Sequence, residues 1–348
     1  MTAKDNAGVK HVVLVTGTTG FVGTQVSLAF LEAGYIVRGT ARSLEKGKAW
    51  IAKFPQQAHN FEIAVVPDMT AANAYDEAIK GVDIVAHTSS PFHYEVKDNE
   101  KDMLIPAIQG TKDILAAIEL EPRVKRVVVT SSFAAVCTVP LLPHRGHTYT
   151  DDSWNPVTYD EAKVSDNPGF VYCASKTLAE KEVWNYVKEK KPTWYATTLC
   201  PSLILGPPMQ PVSSMDSLNE SMKDVWTLIN GDSKGGAPPT PFPVLCDVRD
   251  VAKAHVLAVQ KEEAKNERFL TISHHFKNEQ IIAIAATYPE LRDNLPDVSS
   301  FKYDPGDHFG TDNTKIQTKL GMTFIPMEKT IRDTIDRLLV LKKELSAR

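Results

Sequence analysis

Tyr172 and Lys176, in the run Tyr172-Cys173-Ala174-Ser175-Lys176, have the types and spacing needed to move a proton. Four positions apart, they share a face if the segment is helical. A lone phenol is a poor acid or base at neutral pH, since its reference pKa is about 10. A neighbouring ammonium stabilises the phenolate and lowers that value. The phenol can then protonate a developing alkoxide or, in reverse, take up a hydroxyl proton. The spacing alone is common on helix surfaces, and its company gives it meaning. The strand-like Val127-Val128-Val129-Thr130-Ser131-Ser132 ends in two serines. Either hydroxyl, at the carboxyl end of a central strand, can donate to a carbonyl oxygen and stabilise alkoxide charge. The residues alone do not choose between Ser131 and Ser132.

A second constellation lies near the start of the chain. Gly17-Thr18-Thr19-Gly20-Phe21-Val22-Gly23 follows the apolar Val12-Val13-Leu14-Val15-Thr16 and opens an amphipathic stretch from Phe21 to Ala33, closed by Gly34 before a strand pattern at Tyr35 to Thr40. This reads as a βαβ opening built for a dinucleotide. Gly17 permits the tight turn, Gly20 lets the backbone approach a pyrophosphate, and Gly23 lets helix and strand pack closely, with the helix N-terminus facing the negative charge. The end of the second strand separates the two nicotinamide cofactors. A site for the unphosphorylated form places Asp or Glu roughly 20 residues beyond the glycines to hold the ribose 2'-hydroxyl. Here Arg42 stands nineteen positions after Gly23, with Arg38 nearby and Lys46 and Lys48 downstream, and no acid follows Tyr35 until Glu45. A guanidinium grips a 2'-phosphate with two hydrogen bonds, which a carboxylate would repel. NADPH/NADP+ is the expected cofactor.

The elements that must position these groups are legible as alternating patterns. Strands are expected at Val12 to Thr16, Tyr35 to Thr40, Phe61 to Val66, Ile84 to Thr88, Arg126 to Thr130 and Trp194 to Leu199. Helices are expected at Ala74 to Ile79, Met103 to Glu119 and Tyr172 to Lys188. Near-continuous apolar strands suit a parallel sheet covered on both faces. The fold class is α/β, a doubly wound parallel sheet of Rossmann type with a smaller mixed α/β substrate domain. Beyond about Pro201 the texture changes. Loops rich in Gly and Pro surround a helix from Met215 to Ile229, a helix capped by Asp247 runs to Val259, and a last helix spans Met327 to Leu341. Residues 1–203 form the expected dinucleotide-binding domain, with segments near 244–262 returning to it, and 204–348 form mainly the substrate-binding domain.

Bulk properties exclude several classes. The 348 residues carry a formal charge of -4 and offer no basic surface for nucleic acid. No stretch approaches the roughly 20 apolar residues of a membrane span, and Met1-Thr2-Ala3-Lys4-Asp5-Asn6 lacks the apolar core of a secretion signal, so the cytoplasm is the expected compartment. Cys137, Cys173, Cys200 and Cys246 are isolated, without CxxC, and read as buried free thiols. The ten histidines form no HExxH or tight cluster, so no metal site is expected.

The chain resembles the extended short-chain dehydrogenases/reductases, and more narrowly the branch of dihydroflavonol 4-reductases and fungal methylglyoxal, aldehyde and ketone reductases. The likeness rests on Val15 to Gly23, Val37-Arg38-Gly39-Thr40-Ala41-Arg42, Tyr75 to Gly81, Thr130-Ser131-Ser132, Tyr172 to Lys176 and Leu205-Gly206-Pro207, and continues more weakly through Val248 to His255. The resemblance implies that Ser132 is the catalytic serine beside Tyr172 and Lys176. It implies that Gly17, Thr19, Gly20, Phe21, Val22 and Gly23 hold the cofactor, that Arg42 clamps the 2'-phosphate with Lys46 or Lys48 assisting, and that Asp68 contacts adenine beside Met69. By the same resemblance His87, Thr88, Ser89, Pro201 and Leu203 line the cofactor path. Ser90, Phe92 and Phe133 join Tyr172 at the substrate. The expected reaction is hydride transfer from NADPH to the carbonyl carbon of a ketone or aldehyde, with Tyr172 as proton donor. A small-molecule carbonyl is the expected partner, for a monomer or homodimer. Phe133-Ala134-Ala135-Val136 lacks the polar side chain with which flavonoid-reducing relatives address a hydroxylated ring, which favours small or hydrophobic carbonyls. A nucleotide-sugar epimerase or dehydratase, and a non-catalytic NADPH-binding sensor, are the competing readings.

Overall fold

The computed structural model describes residues 1–4, 8–90 and 96–347. In the first half, β1 (Val12–Thr16) leads through the glycine turn to α1 (Phe21–Glu32), followed by β2 (Ile36–Ala41), α2 (Leu44–Lys53), β3 (Phe61–Val65) and β4 (Ile84–His87). Then come α3 (Ile105–Glu119), β5 (Arg126–Thr130), the short β6 (Thr148–Tyr149), α4 (Tyr159–Lys163), the long α5 (Pro168–Lys190) and β7 (Tyr195–Pro201). The second half comprises β8 (Leu203–Leu205), α6 (Glu220–Ile229), β9 (Val244–Asp247), α7 (Val248–Gln260), β10 (Glu267–Thr271), β11 (His274–His275), α8 (Asn278–Ala285), β12 (Gly310–Thr311), α9 (Thr314–Leu320) and α10 (Met327–Ser346).

Seven strands make one parallel sheet in the order β10-β7-β5-β4-β1-β2-β3. This is the doubly wound Rossmann arrangement, with the order reversing between β1 and β4, where a crevice opens outside the strand ends. Successive side chains of a strand point to opposite faces. Val13, Val15 and Val128 accordingly enter one core with Phe30, Trp50 and Ala254, while Leu14, Val127 and Val129 enter the other with Ile114, Ile118 and Val183. With helices on both faces, the strands can be apolar throughout.

The smaller sheet, β11-β9-β8, packs with α6, α8 and α10 around Leu205, Met222, Leu245, Ile282 and Ile335. Phe21, the first residue of α1, belongs to this core and ties the glycine turn to the smaller lobe. The segment 244–262 divides: β9 joins the small sheet, while Ala252, Ala254 and Val256 of α7 pack in the large-sheet core. Among the described residues no helix is long and apolar enough to cross a membrane.

Three local expectations are corrected. Ala74 to Ile79 forms turns rather than a helix, because Asn73 at φ 62° and Gly81 at φ 74° break both ends of a short connection. The helix expected from Met215 to Ile229 splits into a 3-10 turn at Met215–Ser217 and α6. Strand β10, hidden by its flanking charges in Glu267-Arg268-Phe269-Leu270-Thr271, completes the sheet beside β7.

Helix α1 lies against the glycine turn at a distance only Gly23 allows: a Cβ there would sit 2.1 Å from the carbonyl oxygen of Gly17. Backbone on both sides leaves no flexible side chain to yield. Gly23→Ala should therefore cost at least the 1–3 kcal/mol (order of magnitude) typical of overpacking, measurable as a lowered urea midpoint with unchanged slope.

Candidate active site

The glycine turn is held from both flanks. On the β2 side, Gly17 N–H donates to Thr40 Oγ1 (2.9 Å) and Thr18 N–H to Thr40 O (3.1 Å). On the β4 side, Thr16 Oγ1 accepts from the backbone N–H groups of Thr88 and Ser89, both at 3.0 Å, and lies 3.0 Å from His87 Nδ1. Gly17 takes φ 69°, and a Cβ there would lie 3.0 Å from Ser89 Cβ. Gly20 caps α1 with no side-chain hydrogen bond, and the first turn carries no acid. The leading N–H groups of α1 are thus offered without a competing anion, which fits a pyrophosphate.

The other cofactor candidates lie at strand ends and in the connections that follow them. Arg42 is exposed just past β2 and, among the described residues, forms no ion pair, whereas Arg38 is committed to Glu62 (2.8 Å) and to the carbonyls of Ala78 and Lys80. Ser43 caps α2 by accepting from Lys46 N–H (3.3 Å), which sets Lys46 one turn from Arg42. Asp68 ends the β3 connection and accepts from both the N–H and the hydroxyl of Thr70, which hold its carboxyl below the usual range. Met69 packs over Gly110 of α3, where a Cβ would meet its Cε at 2.9 Å. Pro201 ends β7 beside Thr271, and Leu203 starts β8 in the small sheet, so the chain passes between the two sheets at these residues.

The candidate proton-moving residues, Tyr172 and Lys176, sit on α5, which Asn167 caps by accepting from Phe170 N–H (3.1 Å), with Pro168 in the first turn. Lys176 Nζ lies 5.6 Å from the centroid of the Tyr172 ring and donates to Ser90 Oγ at 2.5 Å. Loss of hydration pushes the Lys176 ammonium down to about 8. Lys176 shares a small cavity with Met69, His87, Ser89, Thr130 and Ser131.

At the end of β5 three consecutive hydroxyls are drawn in three directions. Thr130 Oγ1 donates to His255 Nε2 of α7 (2.9 Å), whose Nδ1–H in turn donates to Val251 O (2.8 Å). Ser131 is buried and donates to Glu180 Oε2 (2.6 Å). Ser132 is half-buried, and its Oγ accepts from Ala134 N–H (3.1 Å), which leaves its own proton to donate. Phe133 is buried against Tyr149 and Phe309, with ring centroids at 5.5 and 5.3 Å. Phe92 lies outside the described residues. Sequence reasoning missed Thr16 as the organiser of the β4 loop, as well as Glu180 and Arg268. Glu180 stands four residues beyond Lys176, a readable spacing, but its partner Arg268 is 88 positions away.

Residues 13–272 match the model of the NAD dependent epimerase/dehydratase family. The chain belongs to this family. Within it, this extended short-chain dehydrogenase/reductase is similar to fungal reductases over nearly its whole length. A ketoreductase of Aspergillus niger is 37% identical over 94% of this chain and 97% of the relative. The NADPH-dependent methylglyoxal reductase of Saccharomyces cerevisiae is 33% identical over 94% of this chain and 98% of the relative. The solved structure of yeast methylglyoxal/isovaleraldehyde reductase complexed with NADPH matches with a TM-score of 0.86 at 32% identity, covering 95% of this chain and 99% of that one.

His87, at the end of β4, and His255, on α7, are each pushed down to about 4, in both cases chiefly by burial. A folded-state value below the unfolded one, about 6.5, means that the unfolded chain binds more protons between the two. The stability contribution is complete above pH ~6.5 and falls as pH drops toward about 4, by about 1.4 kcal/mol per pH unit per histidine. Urea unfolding at stepped pH should show this loss, to which His275, also pushed down to about 4, adds, and His255→Gln should reduce the slope by one histidine's share, about 1.4 kcal/mol per pH unit.

Proposed function

We propose that this protein is an NADPH-dependent reductase converting a ketone or aldehyde to an alcohol, with Tyr172 as the proton donor. What supports this reading is the Tyr172–Lys176 pair on α5, with ammonium and ring centroid 5.6 Å apart, together with the Ser132 hydroxyl at the end of β5 and a glycine turn whose helix N-terminus carries no acid. The N–H groups opening α1, with Thr19, Gly20, Phe21 and Val22, would hold the pyrophosphate. Arg42 and Lys46 would hold the 2'-phosphate, Asp68 and Met69 the adenine end, and His87 to Ser89 with Pro201 and Leu203 the path toward nicotinamide. NADPH, when bound, supplies the hydride.

The chain's own residues manage the proton. Ser132 Oγ donates a hydrogen bond to the substrate oxygen and fixes it. The Tyr172 phenol gives its proton to that oxygen as negative charge develops there. Lys176, cationic below about pH 8, stabilises the phenolate left behind. Ser90 holds the Lys176 ammonium on the crevice side. Small or hydrophobic carbonyls are the substrate class, because Phe133-Ala134-Ala135-Val136, after the strand-end serines, offers no polar side chain to a hydroxylated ring. Four buried free thiols support a reducing compartment, the cytoplasm. The epimerase reading is not favoured, since relatives matching along almost the full chain are reductases.

The test is NADPH consumption by purified protein over a panel of methylglyoxal, diacetyl, aryl ketones, β-keto esters and aliphatic aldehydes, with NADH in parallel. Turnover should be confined largely to NADPH. Tyr172→Phe should lower kcat by on the order of a hundredfold to ten-thousandfold while the NADPH dissociation constant stays unchanged. Absence of turnover with every carbonyl, despite NADPH binding, sinks the reading in favour of a sensor. Arg42→Ser should weaken NADPH without weakening NADH, and an equal loss for both would remove Arg42 from the 2'-phosphate. Because Lys176 loses its charge through about pH 8, kcat/KM for reduction should fall as pH rises past that value.

A further inference from the structure

We infer that the buried Glu180–Arg268 ion pair is a positioning unit for catalysis, setting Ser132 against Tyr172 and Lys176. The inference rests on the reductase reading above. Tyr172, Lys176 and Glu180 recur at four-residue intervals on α5, so the carboxylate stands one turn below the ammonium on the same helical face. Glu180 is 2% and Arg268 7% exposed. Burying two charges is costly, and such a pair is commonly no more stable than apolar residues of equal volume. Its value must therefore be sought in what it orients.

Every oxygen of the carboxylate is committed. Oε1 accepts from Arg268 Nε (2.8 Å), Thr198 Oγ1 (2.7 Å) and Trp184 Nε1 (3.3 Å), and Oε2 from Ser131 Oγ (2.6 Å) and Arg268 Nη2 (3.2 Å). The guanidinium continues outward. Nη1 donates to the carbonyls of Asp151 (2.8 Å) and Ser153 (2.6 Å), Nη2 to Ala135 O (3.3 Å), and its plane lies 3.9 Å from the Trp154 ring centroid. Ser132 is thereby fastened on both sides, through Ser131 to Glu180 and through Ala135 to Arg268. The same carboxylate belongs to the helix that carries Tyr172 and Lys176. The network locks the oxygen-binding hydroxyl to the proton donor, where a misplacement of about 1 Å can cost on the order of a hundredfold in rate.

Two variants test this, each read by kcat, KM, NADPH dissociation constant, Tm and crystal structure. Ser131→Ala cuts one strand of the network and leaves the ion pair intact. Glu180→Met/Arg268→Met removes both charges together, so that neither is left buried alone. The expected result is kcat lowered on the order of tenfold to a hundredfold in both, with NADPH affinity and KM within about threefold of the parent, Tm near the parent's in Ser131→Ala, and a widened Ser132 to Tyr172 spacing. Parental kcat in Ser131→Ala, or in a double variant whose Tm is preserved, overturns the inference and leaves the pair a structural one. Should the double variant not fold, Ser131→Ala decides by itself. If the parent protein turns over no carbonyl, the reductase reading fails, and the Ser132 to Tyr172 spacing in the variant crystals still decides whether the network positions these groups.

Discussion

The close approach of α1 to the turn after β1 is the constraint on which the rest of this structure depends. With Gly17 O where a Cβ of residue 23 would need to be, helix and turn meet backbone to backbone. The contact fixes the direction of the helix and leaves its first N–H groups facing the crevice. Phe21, at the same helix end, is anchored in the core of the smaller lobe. One junction therefore sets the N-terminal end of α1 and also links the two sheets.

Around that junction, side chains divide by burial and partner rather than by type. The three hydroxyls of Thr130, Ser131 and Ser132 are chemically alike, yet His255, Glu180 and a local backbone N–H take one each. The arginines within and just past β2 divide in the same way: Arg38 is spent on Glu62 and two carbonyls, and Arg42 is left exposed beyond the strand end. Desolvation then sets the electrostatics. It keeps His87 and His255 neutral and brings the Lys176 ammonium down to about 8, within reach of neutral-pH chemistry.

Much of the architecture was legible in local patterns. The strands from β1 to β7 that build the sheet are short apolar runs with β-branched residues, bounded by turns, and they lie within a residue or two of their expected limits. The failures have a common physical origin. The helix expected over Ala74 to Ile79 rests on composition, whereas Asn73 and Gly81 with positive φ belong to a connection too short to carry one. Strand β10 was missed because Glu267 and Arg268 interrupt its hydrophobic pattern. Arg268 is nonetheless buried, since Glu180 supplies a counter-charge from far along the chain.

By itself the sequence determined the dinucleotide fold and the cofactor type suggested by Arg42, and it supplied the pairing of Tyr172 with Lys176 on which the proposed proton chemistry rests. Each of these depends on residues close together along one turn, strand end or helix, where spacing stands in for geometry. Only the tertiary structure separated Ser131 from Ser132 by their partners, turned Phe133 into the core, and joined Glu180 to Arg268. Such choices depend on which groups from distant segments meet in a water-poor interior. There an unpaired polar atom is costly, so its partner, rather than its neighbours in the chain, decides where it points.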